Sequence, residues 1–201
     1  MVLQKRLFAL KLVMDKIKFI FLIYIVFGFV AYVPTDSLSN DYHKIVPKYI
    51  LKMEKIASNG DSDVQYNLGL AYSNGVDIEI DLSKAIFWFK KSAEQGNILS
   101  QYKLGYIYEK GLGVEKNLDK AYEYYLISAQ NGNADSQYNL GIFYRLGLAV
   151  NQNFQESLKW YKLASKQGHS AAQNNLNLLY EEGIATKQDI LDAIKFYRCG
   201  N

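Results

Sequence analysis

A single cysteine, Cys199, among 201 residues excludes an intramolecular disulfide framework and any zinc site built on cysteine pairs. Two histidines, His43 and His169, lie far apart without an HExxH-type companion, so metal-assisted hydrolysis has little to work with. Only two prolines occur, Pro34 and Pro47, and 49% of the residues are hydrophobic against 21% charged, which excludes both a collagen-like and a wholly disordered chain. No Asn-x-Ser/Thr sequon is present. Gly111-Leu112-Gly113 lacks both the following glycine and the preceding strand of a phosphate loop. The sequence therefore predicts no catalytic residues, no cofactor and no metal.

Charge is nearly balanced, with 23 bases against 20 acids and a net charge of +3. The excess is not spread evenly. Lys5, Arg6, Lys11, Lys16 and Lys18 face the single acid Asp15 in the first 33 residues, which leaves 18 bases and 19 acids for the rest. The body of the chain is near neutral and offers no electrostatic footprint for nucleic acid.

The basic stretch runs into Phe19–Val33, FIFLIYIVFGFVAYV, fifteen residues without a charge. A basic region followed by an apolar run marks a targeting segment, and positive flanks stay cytoplasmic. At about 1.5 Å per residue in a helix, the run is shorter than a bilayer core of about 30 Å unless Ile17 and the stem of Lys18 extend it. Phe29 stands where a cleavage site wants a small residue ahead of Ala31. We expect an uncleaved anchor with everything after Val33 on the extracytoplasmic side, periplasmic or external; a cleaved signal and a secreted product is the alternative. Residues 34–47 read as a linker.

Beyond the linker the sequence repeats. Gly60, Gly96, Gly132 and Gly168 recur every 36 residues. At fixed distances after them stand Gln65, Gln101, Gln137 and Gln173, then Leu68, Leu104, Leu140 and Leu176, then Tyr72, Tyr108, Tyr144 and Tyr180, then Gly75, Gly111, Gly147 and Gly183. Later in each unit come the small residues Ala85, Ala121, Ser157 and Ala193, and the aromatic pairs Trp88-Phe89, Tyr124-Tyr125, Trp160-Tyr161 and Phe196-Tyr197. A period of this length means a solenoid.

Each unit reads as two helices. The first opens at Asp61, Asn97, Asn133 or His169, and capping is the expected role of that histidine. It closes on a glycine suited to a left-handed turn. The second opens at Asp81, Asn117, Asn153 or Asp189, with a buried stripe such as Leu82, Ala85, Ile86, Phe89 and Ala93. Gly69, Gly105 and Gly141 are expected to face the small residues of the second helix, with Asn177 loosening the last unit. Tyr72, Tyr108, Tyr144 and Tyr180 are expected in the core, and the apolar members of the connectors at 76–80, 112–116, 148–152 and 184–188 are expected to tuck under the hairpins. The expected organisation is a targeting segment over 1–33, a linker over 34–47 and a solenoid over 48–201. The solenoid comprises a half repeat (48–59) and repeats at 60–95, 96–131, 132–167 and 168–201. Its far end lacks a polar capping helix, so self-association there is an expectation.

The unit G-x3-[A/S/V]-Q-x2-LG-x2-Y-x2-G, followed by A-x2-W-[FY]-x2-[SA]-A-x-QG, resembles the Sel1-like repeat, a subfamily of the tetratricopeptide-type helical hairpins. The resemblance implies an all-α, right-handed α/α superhelix that serves as a scaffold for protein–protein contacts and carries no catalytic residues. It implies as partner a protein or peptide held along the concave wall, on Tyr66, Tyr102, Tyr106, Glu109, Lys110, Tyr138, Arg145 and Asn174. Alternatives are a secreted effector acting on host proteins and an envelope hydrolase. Sel1-like proteins linked to β-lactam binding resemble cysteine-rich chains with paired cysteines, which this sequence lacks.

Overall fold

The computed structural model describes residues 46–199, with side chains described as far as Ala193. The predicted targeting segment, the greater part of the linker and the Phe196-Tyr197 pair's packing lie outside that set. Helices α1 (Lys48–Ser58), α2 (Ser62–Asn74), α3 (Leu82–Glu94), α4 (Ile98–Lys110), α5 (Leu118–Gln130), α6 (Ala134–Leu146), α7 (Phe154–Lys166), α8 (Ser170–Glu181) and α9 (Lys187–Cys199) follow one another, with no strand among the described residues. After α1 they form four hairpins, α2/α3, α4/α5, α6/α7 and α8/α9, each stacked on the one before. None is long and apolar enough to cross a membrane.

Local chemistry sets these boundaries. The side chains of Asp61, Asn97 and Asn133 accept from the third amide of α2, α4 and α6 at 2.9, 2.9 and 2.8 Å, satisfying donors the helix leaves free. His169 does the same for α8, its Nδ1 accepting from the Ala172 amide at 3.2 Å. Gly75, Gly111 and Gly147 end α2, α4 and α6 with φ of 69°, 71° and 68°, a conformation costly for a residue with a Cβ. The second helices α3, α5 and α7 are capped by Asp81, Asn117 and Asn153 as expected. The last is not: α9 begins at Lys187, and Thr186 with Asp189 forms a reciprocal capping box. In it Thr186 N donates to Asp189 Oδ2 at 2.9 Å, and Asp189 N donates to Thr186 Oγ1 at 3.2 Å. Asp189 is thus three residues inside the helix it was expected to open.

Leu68, Leu104, Leu140 and Leu176 are fully buried, and burial of each such side chain contributes about 2 kcal/mol. The glycines one residue later face the side of the second helix that carries the small residues, as expected, and the nearest atoms there belong to the rings one turn further on. A Cβ on Gly69 would lie 2.6 Å from the Phe89 ring, one on Gly105 2.6 Å from that of Tyr125, and Gly141 faces Tyr161 in the same way. The missing side chain makes room for the second aromatic of each pair, and Asn177, the equivalent in α8, is exposed. Ala85, Ala121, Ser157 and Ala193 are completely buried, and Ser157 Oγ donates to the Gly141 carbonyl at 2.8 Å. The core tyrosines also depart from expectation. Tyr72 and Tyr108 are buried and Tyr144 half-buried, whereas Tyr180 is 45% exposed. In the connectors the central Ile78, Val114 and Val150 are half-buried and Ala185 is buried, but Val76, Ile80 and Leu112 face solvent.

A polar ladder joins the units. Gln65, Gln101 and Gln137 each donate Nε2 to a carbonyl in the last turn of the preceding second helix, Ala57, Ala93 and Ala129, at 2.8, 3.4 and 3.1 Å. Ser92 and Ser128 donate to the carbonyls of Ser62 and Ile98 at 2.7 and 2.9 Å. Buried polar groups demand such partners, so the glutamine bonds fix the register of one repeat on the next and the serine bonds that of the two helices within a hairpin.

Candidate partner-binding groove

The first helices α2, α4, α6 and α8 bury one side against the second helices and turn the other to solvent along the inner wall. Residues three, four, seven and eleven apart share that side, because a helix turns about 100° per residue. On α4 they are Leu99, Tyr102, Lys103, Tyr106 and Lys110, on α6 Asp135, Tyr138, Asn139, Ile142 and Leu146.

Tyr66, Tyr102 and Tyr138 are seated alike. Their rings lean on Phe89, Tyr125 and Tyr161 with centroids 6.0, 6.1 and 5.9 Å apart and planes tilted by 48°, 36° and 40°. Each is half-buried, and none of the three hydroxyls has a hydrogen-bond partner among the described residues. Burial raises the pKa of Tyr66 and of Tyr102, the latter helped by the charge of Asp135, so both stay protonated and available as donors. The tyrosines are half core and half surface: one face supports the buried ring in the glycine notch, and the hydroxyl edge looks out. Tyr106 is 40% exposed with the Lys110 ammonium 5.8 Å from its ring centroid, and Asn174 is exposed.

Three of the expected wall residues, Glu109, Lys110 and Arg145, are engaged internally instead. Glu109 accepts from the Tyr125 hydroxyl at 2.7 Å and from Lys110 Nζ, so its carboxylate serves the hairpin. Arg145 reaches along the wall to Glu182 at 3.1 Å, tying repeat three to repeat four. Position 109 in repeat two and 145 in repeat three are equivalent, and the exchange of acid for base has a consequence beneath: the buried Tyr161 hydroxyl, equivalent to that of Tyr125, has no partner.

Three residues on this wall escaped the sequence reading. Asp135 Oδ1 lies 3.3 Å from His169 Nε2, and the imidazole stacks on Tyr138 at 4.6 Å with a 24° interplanar angle. Lys103 lies over Tyr102, 5.7 Å from its centroid. The signal was there in helical spacing: Asp135 is three residues before Tyr138, and Lys103 directly follows Tyr102. His169 was legible as a cap but not as a ring partner. Among the described residues no group of three or more histidine, cysteine or acidic side chains could hold a metal ion.

The Sel1 repeat model matches residues 62–97, 98–133, 134–169 and 170–200. The chain belongs to the Sel1 repeat family. Proteins built from Sel1 repeats generally mediate protein–protein contacts. Similar solved structures include a protective antigen of uropathogenic Escherichia coli strains that displays the Sel1-like fold, with a TM-score of 0.67 at 33% identity over 74% of this chain. A Sel1 repeat protein from Oxalobacter formigenes aligns with a TM-score of 0.66 at 29% identity over 76%. The present chain spans 32% of the first structure and 64% of the second. Helicobacter pylori cysteine-rich protein B shares the fold, at 24% identity over 62% of this chain and 92% of its own, with a TM-score of 0.52. No curated protein matches the chain in sequence. The Sel1 hairpins here are held by the glutamine ladder and aromatic notches, with a single cysteine in the whole chain.

Proposed function

We propose that this Sel1 repeat protein is a non-catalytic scaffold that holds a protein or peptide along the inner wall of its solenoid. It is displayed on the extracytoplasmic side of a membrane by an uncleaved N-terminal anchor. The observation that carries the reading is the repeated seating of Tyr66, Tyr102 and Tyr138. Each presents an unused hydroxyl beside a large apolar face, the chemistry that recognises a partner at low cost in side-chain entropy. The basic flank ahead of Phe19–Val33 supports the orientation.

Replacing Tyr102→Ala together with Tyr138→Ala tests the groove. Partner capture from the native membrane fraction is expected to disappear, with the helical circular dichroism retained. Capture undiminished by the double substitution would move the binding surface to the outer face. For the anchor, alkaline carbonate extraction should leave the chain in the pellet, and mass spectrometry should find residues 1–33 still attached. A mature chain beginning near Tyr32 or Pro34 would overturn it.

A further inference from the structure

We infer that the middle of the inner wall takes an extended peptide segment carrying an internal acidic residue, its carboxylate on Lys103 and its neighbouring apolar side chains on Leu99 and Tyr106. This rests on the groove reading and names the partner's chemistry. Most charges on the wall are already answered from within. Asp63 accepts from Asn97 Nδ2 at 3.1 Å, Asp135 faces His169, Glu109 holds Tyr125 and Lys110, and Arg145 holds Glu182. Lys103 differs: it is half-buried, and no carboxylate among the described residues lies within ion-pair distance of its ammonium. An ammonium that rests on a tyrosine ring with no carboxylate in reach is where an incoming carboxylate finds an unanswered charge and a charge-assisted hydrogen bond.

The surroundings specify more. Leu99, 46% exposed, and Tyr106 stand one turn to either side of Lys103 and give the acid an apolar setting. In the neighbouring repeats the position of Lys103 is held by Asn67 and Asn139, whose amides have no hydrogen-bond partner among the described residues. An amide offers both a donor and an acceptor, which suits the main chain of an extended segment. Successive first helices are linked side by side through Asn97 with Asp63 and through Arg145 with Glu182, and an extended chain rising about 3.3 Å per residue passes from one to the next within a few residues. A segment meeting Asn67, Lys103 and Asn139 in turn therefore continues beyond Lys103 in both directions. The carboxylate is consequently that of an aspartate or glutamate side chain, and not a chain terminus.

The test is selection from a library of random nonapeptides displayed inside a loop of a carrier protein, with no free carboxyl end. The full chain in detergent micelles is the bait, alongside Lys103→Met, Lys103→Glu and the Tyr102→Ala/Tyr138→Ala variant. The expected result is enrichment of aspartate or glutamate at one position, with apolar residues at the positions that neighbour it. Capped peptides made from the selected sequences should lose at least tenfold in affinity with Lys103→Met, and selection on Lys103→Glu should favour lysine or arginine at the central position. Binders that tolerate Lys103→Glu but fail with the tyrosine variant overturn the carboxylate assignment and leave the groove standing. No binders, or binders indifferent to the tyrosines, overturn both. Circular dichroism of each variant separates loss of binding from loss of fold.

Discussion

Asn131 is one methylene short of the partner that Gln101 needs. In the flanking units Gln95 donates to Gln65 Oε1 at 2.7 Å and Gln167 to Gln137 Oε1 at 2.8 Å, each across thirty residues. Asn131 turns back to the Ile127 carbonyl instead, and the buried Gln101 Oε1 accepts nothing within the protein. Asn131→Gln should therefore complete the ladder and stabilise the fold by about 1 kcal/mol, read as a higher urea midpoint at unchanged slope. A midpoint that stays or falls would show the ladder to be incidental. Two tyrosines make a paired comparison. Tyr125→Phe removes the donor that Glu109 accepts from and should cost about 1 kcal/mol, whereas Tyr161→Phe discards a hydroxyl that burial leaves unpartnered and should be neutral or stabilising. Equal losses in both would refute the difference between the two repeats. The equivalence of positions 109 and 145 was legible from the period. That the acid in one turns inward to a tyrosine while the base in the other runs along the wall was not, because both choices satisfy the same helical spacing.

Among the elements, α9 departs most from the repeat. The sequence marks its start at Asp189 by analogy with Asp81, Asn117 and Asn153. Thr186, three residues earlier, supplies a better cap and turns Asp189 into its reciprocal partner. Propensity at one position cannot decide between two caps three residues apart; the reciprocal bonds can. Lys162 reaches Asp189 from α7 at 2.7 Å, and this bond, with those from Thr186, lowers the Asp189 carboxyl to about 2. The folded state thus favours the charged form. The stabilisation is present in full above about pH 4, where the carboxyl is ionised in folded and unfolded chains alike, and is lost as pH falls from there toward 2. Hydrogen exchange should show the amides of α9 losing protection within that window ahead of those of α2 to α7. Asp189→Asn should flatten the pH dependence of α9 and lower its protection at pH 6. A pH profile identical in the variant would rule this link out. The glycine notches teach a similar lesson. The spacing of Gly69, Gly105 and Gly141 and the small-residue face they meet were plain, yet which side chain on that face fills each notch depends on the rotation of one helix against the other. That rotation is set by the bulk of Phe89, Tyr125 and Tyr161, not by any single-helix pattern.

For the solenoid as a whole, a period of 36 residues made the architecture legible. Four copies of one pattern force four copies of one hairpin, and α1 begins the stack by burying Ile50 and Ala57. The interior could be read because leucine, glutamine and glycine recur there. The wall could be read only in part, since its character comes from residues that change between repeats: Lys103 against Asn67 and Asn139, Arg145 against Glu109, Leu99 against Asp63 and Asp135. Divergence at solvent-facing positions of an otherwise strict repeat is what a binding surface for one particular partner requires. The outer helices offer an internal contrast, because Ile127 on α5 is 44% exposed, about as much as Tyr106 on the wall at 40%. Placing the photoreactive amino acid p-benzoylphenylalanine at Tyr102 or at Ile127, in cells making the full chain, compares the two faces directly. The account predicts a discrete cross-linked species from position 102 and none from position 127; cross-links from 127 with none from 102 would contradict it.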